Sequence, residues 1–315
     1  MNNELDDIFS DDWPEDHRSG VIAVVGRPNV GKSTLINRIL GQKIAIVTNK
    51  PQTTRKQQIG IYTEEKGQIL FVDTPGLHKP HNKLGEYMMN VAEQAIRDAD
   101  VILWVLDASE PPSEGERHIV ETLTRLNRDN TPVVLALNKA DKVSEDADLS
   151  EHLLLIDHIE AIKVSALTGE DVPALIQRLL AYLPYGPRYY PMDQVSETNM
   201  RFIASEVVRE SIIENTEQEI PYSVAVAIDE YKERSEDMTY ISATVYVERD
   251  SQRGIIVGKN GDMIKKIGQQ ARSELEKVVD TRVYLDLHVK VLKNWRSNEP
   301  LLRRLGYRLP EKDNR

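Results

Sequence analysis

The chain has 315 residues, a formal net charge of −11 and no cysteine. At ~100–200 residues per domain this length suggests two domains, and 40% hydrophobic with 29% charged residues is an ordinary globular composition. The missing cysteine excludes a disulfide framework, a cysteine-ligated zinc and a thiol nucleophile, no apolar run reaches the ~18 residues that span a bilayer, and the acidic start lacks the apolar core of a secretory signal.

Residues 1–19 carry seven acids against one arginine and read as a disordered acidic tail. From Gly20 onward, short Val/Ile/Leu runs at Val21–Val25, Ile69–Val72, Val101–Leu106 and Val133–Leu137 read as buried parallel strands. Between them, Ser33–Leu40, Leu84–Arg97, Glu114–Asn127 and Val172–Tyr182 have the spacing of amphipathic helices. Strand alternating with helix predicts a doubly wound, mostly parallel α/β domain over residues 20–184. A proline-rich stretch at 185–198 reads as a linker. Residues 199–310 then predict a smaller α+β domain in the order α-β-β-α-β-α: helix Asn199–Asn215, strands Tyr222–Glu230 and Thr239–Glu248, helix Asp262–Val278, strand Val283–Val291 and a terminal helix from Asn294. Residues 311–315 are a short tail.

Charge is distributed unevenly. Residues 251–310 hold 13 Lys and Arg against six acids, whereas the preceding 200–250 hold five against 12. One basic segment therefore sits inside an acidic chain.

The first strand runs into Gly26-Arg27-Pro28-Asn29-Val30-Gly31-Lys32-Ser33, followed by Thr34. A glycine-rich turn between strand and helix wraps backbone N–H groups and a helix N-terminus around a polyphosphate. Gly26, Asn29, Val30, Gly31 and Thr34 belong to that cradle. Lys32 places a positive charge at the β- and γ-phosphates, and Ser33 offers a hydroxyl to Mg²⁺. The strand Ile69–Val72 ends in Asp73-Thr74-Pro75-Gly76. Asp73 is the expected acidic partner of Mg²⁺, and the Gly76 N–H the expected sensor of the γ-phosphate. Between the two lies Lys50-Pro51-Gln52-Thr53-Thr54-Arg55, a ligand-ordered loop. Thr54 is the expected further Mg²⁺ ligand, with Thr53 as the alternative. Lys32, Thr54 and Gly76 form the expected catalytic set.

Base choice is read from Asn138-Lys139-Ala140-Asp141. A carboxylate accepts two hydrogen bonds at once, and guanine presents N1–H and N2–H₂ on one edge where adenine has no such donor pair. Asp141 therefore selects guanine. Lys139 lays its stem over the base and Asn138 braces the loops. Ser165-Ala166-Leu167 brings the Ala166 amide to guanine O6.

With these motifs the chain resembles the small-GTPase superfamily. Members of the Ras type carry a water-orienting glutamine directly after this DxxG motif. Here that position is Leu77, a packing residue, so the attacking water is placed by backbone, metal, a monovalent cation or a partner. The resemblance implies that Asn29 either holds K⁺ or is a structural loop residue. His78, His81 and His118 are expected to be structural or solvent-facing.

The basic segment contains Ile255-Ile256-Val257-Gly258-Lys259-Asn260-Gly261-Asp262, a GxxG loop after an apolar, strand-like lead. Such a loop in a KH domain clamps the backbone of single-stranded RNA. Gly258, Lys259, Asn260, Gly261 and Lys265 are the expected RNA contacts, with Lys266 and Arg272 further along the helix.

The combination of GRPNVGKSTL, PQTTR, DTPGLH and NKAD with IIVGKNGDMIKKIG resembles the Era family of bacterial ribosome-assembly GTPases over about residues 20–308. The resemblance implies a P-loop GTPase fold and a KH domain of type II. It implies GTP hydrolysis to GDP with Mg²⁺, and the 3′ end of 16S rRNA and the 30S subunit as partners. It also implies a cytoplasmic location with peripheral attachment to the cytoplasmic face of the membrane. Two other readings stand beside it. One is an RNA chaperone whose occupied nucleotide site turns over slowly. The other is a GTPase whose last domain docks a membrane or protein.

Overall fold

In a computed structural model the chain forms two compact units. The structure describes residues 13–48, 50, 54–77, 80–127, 130–197 and 199–308. Residues 1–12 of the expected tail, Thr53, His78 and residues 311–315 lie outside them.

Unit 1 contains β1 (Arg18–Val25), α1 (Lys32–Leu40), β2 (Gln58–Glu64), β3 (Gly67–Asp73), most of α2 (Lys83–Arg97), β4 (Val101–Asp107), α3 (Glu114–Leu126), β5 (Val133–Asn138), α4 (Ser150–Leu153), β6 (Glu160–Lys163) and α5 (Val172–Tyr182). The sheet order is β2-β3-β1-β4-β5-β6. Only β2 runs antiparallel, against β3. Alternate residues of each central strand serve opposite faces. Ile22, Val24, Leu103 and Val105 pack with Leu35 and Ile36 of α1 and Leu175 and Leu179 of α5. Ala23, Val25, Ile102 and Trp104 pack with Ala92 and Ile96 of α2 and Ile119 and Leu123 of α3. Each fully buried aliphatic side chain contributes ~1.5–3 kcal/mol. Both faces of the sheet are thus covered, which is why its strands read as continuous apolar runs. The order of strands reverses about β1, so the loops at the carboxyl ends of β1, β3, β4 and β5 share one rim. That rim is where ligands bind in open α/β sheets.

Two boundaries differ from expectation. The acidic tail was expected to run to residue 19, but β1 begins at Arg18, which pairs with Gly67. His17 is buried, and its Nδ1 lies 2.8 Å from the Gly186 carbonyl. The linker is also no free spacer. Arg18 bridges to Tyr185 and Gly60 to Ser196, and the Gln68 side chain accepts from the Tyr189 and Tyr190 amides at 2.7 and 2.9 Å. Prolines hold this segment extended, and its backbone groups find partners on unit 1.

Unit 2 comprises Ile46–Thr53, Pro80–Tyr87 and Thr198–Arg315. Lys50 donates to the Ile213 carbonyl at 2.6 Å. The unit contains α6 (Met200–Asn215), α7 (Ile220–Ser223), β7 (Ala225–Ser235), β8 (Met238–Val247), α8 (Asp250–Val257), α9 (Asp262–Val279), β9 (Arg282–Val291) and α10 (Glu299–Arg304). Its sheet has the order β7-β8-β9. Pairing is antiparallel between β7 and β8 and parallel between β8 and β9. Val208 and Ile212 of α6, Ile256 of α8 and Ile267 and Ala271 of α9 bury against Ile241 and Val245.

Helix α8 corrects the strand-like lead expected before the GxxG loop. Three β-branched residues, Ile255–Val257, suggest a strand. In the fold, Gln252 and Ile256 stand four apart on one buried face. The Gln252 side chain also accepts from the Glu248 and Arg249 amides at 2.9 and 3.1 Å and so fixes the start of the helix.

Candidate nucleotide and nucleic-acid sites

The phosphate loop leaves β1 in a conformation that only small residues tolerate. Gly26 has φ +151°, and a Cβ there would lie 2.4 Å from the Val105 carbonyl oxygen. Gly31 has φ +100°, and its Cβ would meet Asn138 Nδ2 at 2.3 Å. Asn29 also takes a left-handed φ, 66°, which asparagine accepts more readily than most residues. No side chain caps the N-terminus of α1, so its first amides face the rim, where anions are favoured. Lys32 is buried and donates from Nζ to the Gly26 and Arg27 carbonyls at 2.9 and 2.8 Å. Burial pushes its pKa down to about 8, against the opposing pull of Asp73. Val30 is a core residue and Thr34 lies half-buried on α1.

Ser33, Thr54 and Asp73 converge. Ser33 Oγ donates to Asp73 Oδ2 at 2.9 Å, and Thr54 Oγ1 donates to the same oxygen at 3.0 Å. The two hydroxyls stand 3.2 Å apart. Asp73 is fully buried, and its Oδ1 has no hydrogen-bond partner among the described residues. Burial raises its pKa, partly offset by Lys32, Ser33 and Thr54. One buried carboxylate with an unpaired oxygen beside two hydroxyls is a hard-oxygen donor set, and it fits Mg²⁺. Thr54 stands at this cluster, while the alternative, Thr53, lies outside the described residues. Gly76 lies beside the phosphate loop, with Pro28 Cγ 3.0 Å from where a Cβ would stand. Leu77 is a core residue, 2% exposed.

The base-selecting loops are braced as a unit. Asn138 Nδ2 donates to the Val30 carbonyl at 2.7 Å, and its Oδ1 accepts from the Ala166 amide at 2.9 Å. The Ala166 N–H, the expected donor to guanine O6, thus donates to Asn138 in this structure. Ser165 Oγ donates to Asp141 Oδ1 at 2.5 Å and so aligns that carboxylate. Leu167 is 67% exposed, and its carbonyl accepts from Arg38. Lys139 forms an ion pair with Asp107, a residue that motif reading passed over. Burial alone would raise Asp107, but the Lys139 and Ser109 donors outweigh it and hold the carboxyl below its usual range. An acid at the carboxyl end of β4 was the available signal.

In unit 2 the GxxG loop joins α8 to α9. Gly258 has φ +74°, and a Cβ there would clash with the Met263 backbone nitrogen at 2.8 Å. Gly261 has φ +81° and Asn260 φ 54°. Lys259, Asn260, Lys265, Lys266 and Arg272 are exposed. The loop therefore presents backbone and cations at the start of an 18-residue helix.

The expected histidines that the structure describes, His81 and His118, are peripheral. His118 lies half-exposed, 3.8 Å from Glu121, and His81 is exposed. Buried His152, unremarked in the sequence, ties the Asp107 and Glu110 carbonyls together at 3.1 and 3.0 Å. Among the described residues no helix is long and apolar enough to cross a membrane.

A glycine-rich phosphate loop, a Mg²⁺-fitted cluster and a braced guanine loop on one rim define a P-loop GTPase, and the second unit is a KH domain. Family models agree: one described as a 50S ribosome-binding GTPase matches residues 21–139, and one described as a KH domain matches residues 219–296. A crystal structure of an Aquifex aeolicus Era variant bound to GDP·AlF₄⁻ is 37% identical, with a TM-score of 0.84 over 93% of this chain and 100% of that one. A structure of Era with MgGDPNP and nucleotides 1506–1542 of 16S ribosomal RNA matches with the same identity, coverage and score. The chain belongs to the Era family of GTPases. It hydrolyses GTP.

Proposed function

We propose that this protein is a GTP-driven, RNA-binding switch that acts on the 3′ end of 16S rRNA during 30S assembly. The observation that carries the reading is the meeting of Thr54 with Ser33 and Asp73 on one buried carboxylate oxygen. It ties the first switch loop to the Mg²⁺ position. Ser33, Thr54 and Asp73 would hold Mg²⁺ there, and it would neutralise charge that develops on phosphoryl transfer. Lys32 leaves the loop carbonyls for the phosphates, Gly76 senses the γ-phosphate, and Asp141 holds the guanine. The GxxG loop supplies the RNA clamp, supported by the RNA bound to the related Era. The deciding experiment is GTP turnover with and without an RNA of nucleotides 1506–1542. Stimulation is the expected result, and turnover indifferent to an RNA that binds would sink the switch.

Buried Leu77 favours a second reading, an RNA chaperone with slow turnover. With an apolar core residue where a glutamine would orient water, hydrolysis relies on other groups. A K⁺ held by Asn29 in the phosphate loop is our assignment for one of them. The family resemblance extends the proposal to a cytoplasmic protein peripherally attached to the membrane. Co-sedimentation with anionic vesicles tests that part, and no binding would remove it.

A further inference from the structure

The outer face of the KH sheet carries an aromatic series that neither the GTPase chemistry nor the GxxG clamp uses. Tyr240 on β8 and Tyr284 on β9 are register partners. Their rings stack with centroids 5.8 Å apart and planes at 24°. The Arg234 guanidinium lies over the Tyr240 ring, 4.2 Å from its centroid. The series thus runs Arg234, Tyr240, Tyr284 and ends at β9, the outermost strand of the sheet. Tyr284 is 60% exposed.

Cations flank the two rings, with acids further out. Lys232 is the register partner of Tyr240 on β7. Arg282 precedes Tyr284 by two residues and so stands on the same exposed face. With Arg234 this makes three cations around two rings. The turn acids Glu236 and Asp237 lie at one end, and Glu230, the register partner of Ser242, is exposed on the same face. Further along, Asp286 is paired with His288 at 3.3 Å and Asp229 accepts from Thr244 at 2.6 Å. An open ring ending a cationic stack offers a π-face to any nucleobase, whatever its sequence.

The geometry points to a second, base-stacking RNA site: Tyr284, backed by Tyr240 and flanked by Arg282, Lys232 and Arg234, receives an unpaired base of the RNA that the GxxG loop clamps. It rests on the RNA-binding reading above. Helix α9 runs 18 residues from the loop to the turn before β9, a separation of ~27 Å. A short RNA held by the loop cannot reach the platform, whereas a longer one can. The site therefore adds affinity only for extended RNA.

The test uses the full-length protein and its Tyr284→Ala and Tyr284→Phe variants. Two labelled RNAs are titrated: one of about four nucleotides, the length a GxxG loop clamps, and one of nucleotides 1506–1542 of 16S rRNA. Tyr284→Ala should weaken the long RNA about tenfold, within the range for loss of one stacked base. The short RNA should bind it as it binds the parent. Tyr284→Phe keeps the ring and should bind both as the parent does. Ultraviolet crosslinking of the long RNA should map to the Tyr284 peptide. Unchanged long-RNA affinity in Tyr284→Ala overturns the proposal, and so does equal weakening of both RNAs, which would place the effect in the clamp. If the parent self-associates in sedimentation and Tyr284→Ala does not, while RNA affinity is unchanged, a second copy covers the face and the proposal fails. If the parent binds neither RNA, the RNA-binding reading itself fails, an outcome distinct from a silent Tyr284.

Discussion

The side-chain amide of Asn138 donates to the backbone carbonyl of Val30, 108 residues earlier in the chain, at 2.7 Å. One buried bond joins the loop that reads the base to the loop that cradles the phosphates. The same side chain accepts from Ala166 at 2.9 Å, so a single asparagine braces three loops.

Asn138→Ala should therefore damage both stability and binding. It strands a buried carbonyl and a buried amide, each costing ~1–3 kcal/mol when unsatisfied. A loss of about 2 kcal/mol or more is expected in urea unfolding, with weaker GTP binding in the same preparation. An unchanged unfolding midpoint would show that the brace carries no energy.

We assign base choice to Asp141, which Ser165 aligns. Asp141→Asn exchanges one acceptor for a donor, and preference should pass from guanine to xanthine nucleotides. Ser165→Ala should weaken GTP more mildly, by about tenfold or less, the worth of one hydrogen bond, without changing which base is preferred. Competition titrations with GTP, XTP and ATP measure both.

Lys32 gives a prediction with a definite sign. Its folded pKa of about 8 lies below the ordinary 10.5. Between those values the unfolded chain holds more protons than the folded one, so this group makes the ligand-free protein more stable as pH rises through that window. Lys32→Ala should remove that rise, and it should also cost stability at neutral pH, because it strands the Gly26 and Arg27 carbonyls and leaves buried Asp73 without its opposing charge. GTP hydrolysis should be lost, since the lysine answers to phosphate. Unfolding at several pH values and a turnover assay check the two halves separately.

Replacing K⁺ by Na⁺ should slow turnover, and Asn29→Ala should erase the difference between the salts. Equal rates in both salts for the parent would return Asn29 to the role of a left-handed loop residue.

The double change Lys259→Asp, Asn260→Asp sits on exposed loop positions, where substitutions shift stability by only ~0.5 kcal/mol or less. RNA affinity should fall sharply and its salt dependence flatten, because fewer counterions are released. GTP titrations should be unaffected. RNA binding that survives with the fold intact would reduce the GxxG loop to a turn.

Much of this protein was written locally. The phosphate loop, DTPG and NKAD are short runs whose residues meet one ligand together, so each motif carries its own chemistry and could be read without the fold. The parallel strands were equally plain, because a sheet covered on both faces needs unbroken apolar runs. Tertiary structure alone decided what depends on distant partners. The three oxygens of Ser33, Thr54 and Asp73 come from separate segments, and only packing places Thr54 there. Asp107 meets Lys139, and Asn138 meets Val30, across loops that have no shared sequence signal. Helix α8 hid behind three β-branched residues because burial of Gln252 and Ile256, not local propensity, selects its conformation. The Tyr240–Tyr284 stack depends on the register of a parallel strand pair. Such a register is set by long-range pairing through a helical crossover, and no local pattern reports it.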